Sequence, residues 1–221
     1  RLIINIPPRY SKTELAVVNF MAWAIGNYPD CEFIHASYSK RLAANNTYNA
    51  RAISMSEEYQ AVFGDIGMMH DAKAKDEWRT RTGGCIYATG SEGTITGYGA
   101  GKLRSGFGGA IIIDDPLKPD DAYSDPKRKA VNRRWDETIK SRFNSTKTPC
   151  IVIMQRIHEE DFCGMLLKDG EYDFKQLVLP AIVDEGLPTE RALWPQKHSL
   201  DVLKAMQKKN TYMFASQMQQ R

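Results

Sequence analysis

Ile6-Pro7-Pro8-Arg9-Tyr10-Ser11-Lys12-Thr13 lies between a short apolar run, Leu2 to Ile6, and a stretch from about Lys12 to Ile25 that sets Leu15, Val18, Met21, Ala22 and Ile25 on one side. The pattern predicts strand, loop and helix, because Pro7-Pro8 halts the strand and the apolar spacing after Lys12 follows a helical period. A helix entered through such a loop offers free backbone N–H groups and the positive end of its dipole. That junction suits a bound phosphate.

In a Walker A loop a lysine reaches the β- and γ-phosphates and the hydroxyl after it ligates Mg²⁺; Lys12 and Thr13 stand in those two places. Ile6 and Ser11 depart from the pattern G-x-x-x-x-G-K-[ST], since they occupy its glycine positions. A positive φ at Ser11 would cost roughly 1–2 kcal/mol, which charge-assisted bonds to a phosphate can offset. By itself the segment reads equally well as an exposed Lys-Thr at a helix start.

A second stretch, Gly109-Ala110-Ile111-Ile112-Ile113-Asp114-Asp115, is an apolar strand that ends in two acids, as a Walker B segment does. Like charges side by side repel, and a bound Mg²⁺ with a polarised water relieves the repulsion. Asp114 is then expected to hold the hydration shell of the metal, and Asp115 to orient or deprotonate the attacking water. The alternative is a solvated Asp-Asp-Pro turn. Taken together, a cation and an acid pair, each at the carboxyl end of its own parallel strand, would meet in the crevice where open α/β sheets bind ligands.

Outward from these segments, Glu32 to Tyr38, Cys150 to Met154 and Phe174 to Leu179 read as strands. Lys40 to Met55, Ser56 to Phe63, Glu160 to Leu167, Leu200 to Lys208 and Tyr212 to Gln219 read as helices. Asp120 to Phe143 is a long polar helical stretch with Pro126 disturbing its first turn, and Gly83-Gly84 predicts a two-residue hairpin link between Glu77 to Arg81 and Cys85 to Ala88. Eight glycines between Gly90 and Gly109 predict a mobile loop. The alternation gives one α/β domain over residues 1–221, a mainly parallel β-sheet flanked by helices.

Composition excludes more than it names. Thirty Lys+Arg against twenty-seven Asp+Glu leave a net charge of +3, short of a general nucleic-acid binder, so any DNA contact is local. Cys31, Cys85, Cys150 and Cys163 have no C-x-x-C spacing, which argues against disulfides and structural zinc. The apolar stretch Leu15 to Ile25 is too short to cross a bilayer, and the chain reads as cytoplasmic.

PPRYSKTE, IIIDDPLK, IVIMQRIHEEDFCG and FASQMQQR, in this order from residue 7 to residue 221, resemble successive motifs of the large subunit of tailed-phage terminases. The resemblance covers nearly the whole chain. It accounts for proline-proline-arginine in place of the leading glycine, a common form in that family. It implies a P-loop NTPase fold of the additional-strand type, with Cys150 to Met154 as the inserted strand. It further implies ATP and Mg²⁺ as ligands, with Arg9, Tyr10, Ser11, Lys12 and Thr13 on the nucleotide and Thr13 and Asp114 on the metal. The family translocates double-stranded DNA into a procapsid. The implied partners are a portal protein, a small terminase subunit and further copies in a homo-oligomeric ring, expected to be a pentamer, in the bacterial host cytoplasm.

The same resemblance assigns roles to further residues. Gln155 stands where the family usually has a threonine that senses the γ-phosphate, Arg9 is placed to touch that phosphate, and Arg104 resembles an arginine offered to the next subunit. Arg156 reads either as a phosphate or intersubunit contact or as a structural ion pair. Glu160 and Asp161 read as helix-capping acids. Lys127, Arg128, Lys129, Arg133 and Arg134 form the densest basic cluster, open to DNA or simply a solvated helix face. The family's adenine-contacting segment lies upstream of the phosphate loop and its nuclease lies downstream of FASQMQQR, so base recognition and DNA cleavage are not expected from these residues. Two other functions compete: a hydrolysis-deficient DNA or portal interaction module, and a helicase-type ATPase.

Overall fold

The computed structural model describes residues 1–69, 75–91 and 93–221. Strand β1, Leu2–Asn5, leads through the proline-rich loop into a wide-turned helical segment, Glu14–Asn19, that continues without a break as α1, Phe20–Asn27. Next come β2 (Glu32–Ser37), α2 (Lys40–Ser54), α3 (Glu57–Phe63), β3 (Glu77–Arg79), β4 (Cys85–Gly90) and β5 (Ile111–Asp114). The second half holds α4 (Asp125–Arg134), β6 (Cys150–Met154), α5 (Phe162–Asp169) and β7 (Lys175–Val178). After β7 a two-stranded hairpin, β8 (Ile182–Val183) and β9 (Arg191–Ala192), precedes α6 (Leu200–Lys209) and α7 (Thr211–Met213), which runs on as Phe214–Met218.

The main sheet has the order β3-β4-β2-β5-β6-β1-β7, and every pairing in it is parallel except β3 with β4. Strand β6 lies between β5, which carries the acid pair, and β1, which leads to the phosphate loop. This is the inserted strand that the resemblance implied.

Both faces of the sheet are covered, which is why its inner strands are almost continuously apolar. Ile111, Ile113, Val152 and Met154 pack on one side with Trp135 and Phe162, while Ile112, Ile153 and Phe33 pack on the other with Val18, Met21 and Ile25. A third, smaller core joins Ile6 and Tyr10 to Ala181, Ile182, Leu203, Phe214 and Met218. It fastens the C-terminal segment to the exit of β1.

Several local expectations are corrected. The hairpin link is five residues long, Thr80 to Gly84, between the paired Arg79 and Cys85. Thr80 donates its hydroxyl to the Pro29 carbonyl at 2.5 Å and accepts the Gly84 N–H at 2.9 Å, so the turn is tied inward. A side chain at Gly84 would sit 2.2 Å from that carbonyl, and Gly83 takes φ +88. Pro126 opens α4 instead of disturbing it, because a first-turn residue has no intrahelical N–H bond to lose. Within the glycine-rich stretch, Ala100 is buried and the Gly101 N–H donates to the Glu32 carbonyl at 3.0 Å, so this part packs at the start of β2. Among the described residues no helix is long and apolar enough to cross a membrane. All four cysteines are buried free thiols.

Candidate nucleotide site

At the end of β1 the chain turns through two left-handed residues, Arg9 at φ 65 and Ser11 at φ 59. Interspersing such residues among right-handed ones is the backbone pattern of anion-binding concavities. Each costs about 1–2 kcal/mol outside glycine. The Tyr10 ring between them is 4% exposed and packs edge-on to Trp194 at 5.9 Å in the third core. Burying a large side chain contributes roughly 1.5–3 kcal/mol, enough to hold much of that strain in place. The family resemblance puts Tyr10 on the nucleotide. Its ring instead points away from the cleft, and its backbone amide alone remains for that role.

The Ser11 carbonyl accepts the Leu15 N–H at 3.0 Å and starts the helix, which brings Lys12 and Thr13 to the ends of β5 and β6. Lys12 Nζ pairs with Asp115 Oδ2 at 2.5 Å, and Thr13 Oγ1 donates to Asp114 Oδ2 at 2.8 Å. Residues about a hundred positions apart in the chain thus meet in two cross-linked pairs. Asp115 adopts φ 41, with its N–H donating to the Ile153 carbonyl at 2.9 Å and its carbonyl accepting the Tyr38 N–H at 3.1 Å. Its turn is therefore fixed from both neighbouring strands.

Asp114 is 5% exposed, and its second oxygen, Oδ1, has no hydrogen-bond partner. Burial raises its carboxyl to about 7 and the neighbouring Asp115 charge adds to the rise, while the Thr13 hydroxyl and the Lys12 ammonium oppose it. An acid held this way gains from a cation at its free oxygen. The donor set fits hydrated Mg²⁺: a hydroxyl, a carboxylate with an open lone pair, and no cage of three or more protein ligands among the described residues, since Mg²⁺ keeps several waters and takes the rest from phosphates.

The surrounding cleft, about 560 Å³, is lined by Arg9, Ser11, Lys12, Thr13, Asp114, Asp115 and Gln155 among others, a volume within the usual range for a small-molecule site. Arg9 makes no hydrogen bond or ion pair with the described residues and stands exposed at the rim. Gln155 leaves β6 with its side chain 7% exposed and its Oε1 without a partner. A neighbouring cleft of about 540 Å³ lies beyond Tyr38 and is lined by Lys40, Lys118 and Lys127. Two of those lysines are paired, Lys40 with Asp76 and Lys127 with Asp121, and the phosphate loop does not reach it.

Other sequence candidates lie elsewhere. Arg104 donates to Asp30 at 2.5 Å and to the Phe107 carbonyl at 2.7 Å, just before the start of β2. The cleft is at the far end of that strand, about 20 Å along it, so Arg104 has no part in the site of its own chain. Arg156 resolves to the structural alternative: its guanidinium pairs with fully buried Asp161 at 2.9 Å and donates to the His158 carbonyl at 3.1 Å. Asp161 caps α5 by accepting the Gly164 N–H at 2.9 Å. In the basic cluster, Lys127, Arg128, Lys129 and Arg133 all have carboxylate partners, three of these pairs lying within α4 or running on from it, as on a solvated helix face.

The cleft also holds residues that the sequence reading passed over. Asn46 and Leu42, four apart on α2, both line it. Asn46 Nδ2 donates at 3.0 Å to Nε2 of His35, whose Nδ1 meets the Ile112 carbonyl at 3.2 Å. Burial lowers His35 to about 4, so the ring is neutral and fixes the Asn46 amide with its oxygen free. A histidine in an otherwise apolar strand was the available signal.

No protein-family model matches the chain, and no curated protein matches it. Solved structures do. The large terminase of bacteriophage HK97 aligns with a TM-score of 0.57 at 14% identity, over 99% of this chain and 46% of that one. The large terminase of a thermophilic bacteriophage aligns with a TM-score of 0.57 at 11% identity, over 99% and 47%. The same thermophilic-phage protein in complex with ATP-gamma-S gives 0.53 at 12% identity, over 97% and 45%. The chain thus spans about half the length of these structures, and at such identities the likeness establishes the fold.

Proposed function

We propose that this chain is the ATP-hydrolysing unit of a DNA-packaging motor of the large-terminase kind. The observation that carries the reading is the double cross-link of Lys12 to Asp115 and Thr13 to Asp114, made between a phosphate-loop helix and the acid pair of a parallel strand. The fold shared with large terminases, one of them in complex with ATP-gamma-S, supports the choice of nucleotide.

Lys12 exchanges Asp115 for the β- and γ-phosphate oxygens of ATP, and the left-handed turns at Arg9 and Ser11 set backbone N–H groups around them. Thr13 and Asp114 would hold Mg²⁺, which when bound would supply positive charge to the phosphates. Asp115, released from Lys12, accepts the proton of a water as that water bonds to the γ-phosphorus and the bond to the departing ADP oxygen breaks. Gln155 donates to the γ-phosphate or the water, and Arg9 neutralises charge at the rim. The work done is translocation of double-stranded DNA into a procapsid, in a ring of copies bound to a portal and a small subunit. Arg104, remote from its own site, acts on the cleft of the next copy.

Mg-ATP titration and steady-state turnover of three proteins test this. Lys12→Ala is expected to lose nucleotide binding, and Asp115→Asn to bind Mg-ATP while turnover falls about 10²–10⁴-fold. Equal turnover by both variants and the parent would end the proposal.

A further inference from the structure

Where β6 leaves the sheet at Met154, the next amides have no ladder partner, and each buried one needs an acceptor. Ile157 and His158 donate to Asp161 Oδ2 at 3.1 and 3.4 Å, a local closure made by the helix cap four residues on. The Arg156 N–H is different. It donates to Oε1 of Gln220 at 2.9 Å, sixty-four residues later in the chain.

Gln220 is built for this contact. It is 5% exposed and holds φ 61, a conformation an L-residue adopts only under constraint. Its Nε2 is committed to the Gln217 carbonyl at 2.5 Å, which leaves Oε1 facing Arg156. The segment bearing it is anchored in turn: Gln219 Oε1 accepts the Ile182 N–H at 2.8 Å, Gln219 Nε2 donates to the Ile182 carbonyl at 3.1 Å, and the Met218 carbonyl accepts the Ala181 N–H at 2.8 Å. The residue before Arg156 is Gln155, which lines the cleft with Lys12 and Asp115 and whose buried carboxamide oxygen has no partner.

We propose that Gln220 is a positioning residue for hydrolysis: by holding the Arg156 amide it sets where the Gln155 carboxamide stands in the cleft, and it couples the segment Phe214–Gln220 to that position. Asp161 secures the loop downstream of Gln155, and Gln220 secures the peptide bond next to it. A shift of the C-terminal segment then moves Gln155, and a shift of Gln155 strains the segment. This rests on the ATP-hydrolysis reading above.

The test uses the full chain with Gln220→Met, which keeps length but removes the acceptor, and Gln220→Glu, which keeps an acceptor oxygen. Gln220→Met is expected to speed hydrogen exchange at the Arg156 amide about tenfold. It should lower kcat by about tenfold and leave the Mg-ATP dissociation constant within about threefold, while Gln220→Glu recovers most of kcat. Because both residues act through one group, Gln155→Ala combined with Gln220→Met should turn over no more slowly than Gln155→Ala alone. An unchanged kcat in Gln220→Met despite a faster-exchanging Arg156 amide overturns the proposal, as does a double variant whose loss is the product of the two single losses. A folded Gln220→Met whose Arg156 amide exchanges at the parental rate overturns it too. If the parent itself neither binds nor hydrolyses Mg-ATP, the hydrolysis reading fails first and takes this one with it.

Discussion

Asp114→Asn exchanges a buried carboxyl for an amide of the same shape, and its effect on stability follows from the raised affinity of that carboxyl for its proton. An ordinary aspartate titrates near 3.8, and Asp114 is pushed to about 7 by burial and by the adjacent Asp115. Between about pH 4 and pH 7 the unfolded chain has released this proton and the folded chain still holds it, so folding stability falls as pH rises through that window. Below pH 4 both states are protonated and the effect vanishes; above pH 7 it is complete. Three pKa units amount to about 4 kcal/mol at ~1.36 kcal/mol per unit, a ceiling because the carboxylate is coupled to Lys12 and Asp115. In EDTA, urea unfolding of Asp114→Asn at pH 8 should show a gain of about 2–4 kcal/mol over the parent, and at pH 4 the two should coincide. The amide oxygen can still accept the Thr13 hydroxyl, so that hydrogen bond does not confuse the comparison. With Mg-ATP added the order should reverse, since ligand stabilisation accrues to the parent alone. A variant less stable than its parent at pH 8 without metal refutes the reasoning.

Three further substitutions probe the phosphate loop. Ser11→Gly removes the left-handed penalty at φ 59 but gives the unfolded chain more freedom, for a net gain of about 0.5–1 kcal/mol, read as a higher Tm with Mg-ATP binding retained. Tyr10→Ala should lose about 3–5 kcal/mol and weaken nucleotide affinity, because the ring anchors the loop. Tyr10→Phe should be neutral or stabilising by up to about 1 kcal/mol, since it removes a buried hydroxyl that has no partner. Loss of stability in Tyr10→Phe as large as in Tyr10→Ala contradicts that account.

What could be read from the sequence was whatever is encoded locally. Lys12-Thr13 and Asp114-Asp115 each follow an apolar strand within a few residues, so strand, helix and parallel placement determine where they meet. The capping role of Asp161 was legible for the same reason, whereas the inserted position of β6 was an implication of the family resemblance and not of any local pattern. The direction of Tyr10 was not, because the left-handed turns flanking it are carried by arginine and serine, which do not advertise positive φ as glycine does. Nor could Arg104 be placed, since its partner Asp30 is seventy-four residues away and no local pattern records the pairing. The β8–β9 hairpin, two residues a side, is too short to show a period of two.

The charges in the cleft are arranged so that one ligand satisfies all of them. Lys12 is 9% exposed at its side chain and has Asp115 as its counter-ion, so removing either partner alone leaves a poorly hydrated charge. Asp114, next in the chain, has the opposite problem: one oxygen bonded by Thr13, the other unpartnered, and the ionised form disfavoured by burial. A simple anion would serve Lys12 and aggravate Asp114; a simple cation would do the reverse. A metal-bound triphosphate offers anionic oxygens to Lys12 and positive charge to Asp114 in one step, and by taking Lys12 it frees Asp115 to accept a proton. On the proposed function, a preference for Mg-ATP over either ATP or Mg²⁺ alone would arise from these two neighbouring pairs, and it predicts that in Lys12→Ala added Mg²⁺ still stabilises the protein through Asp114 whereas added ATP does not.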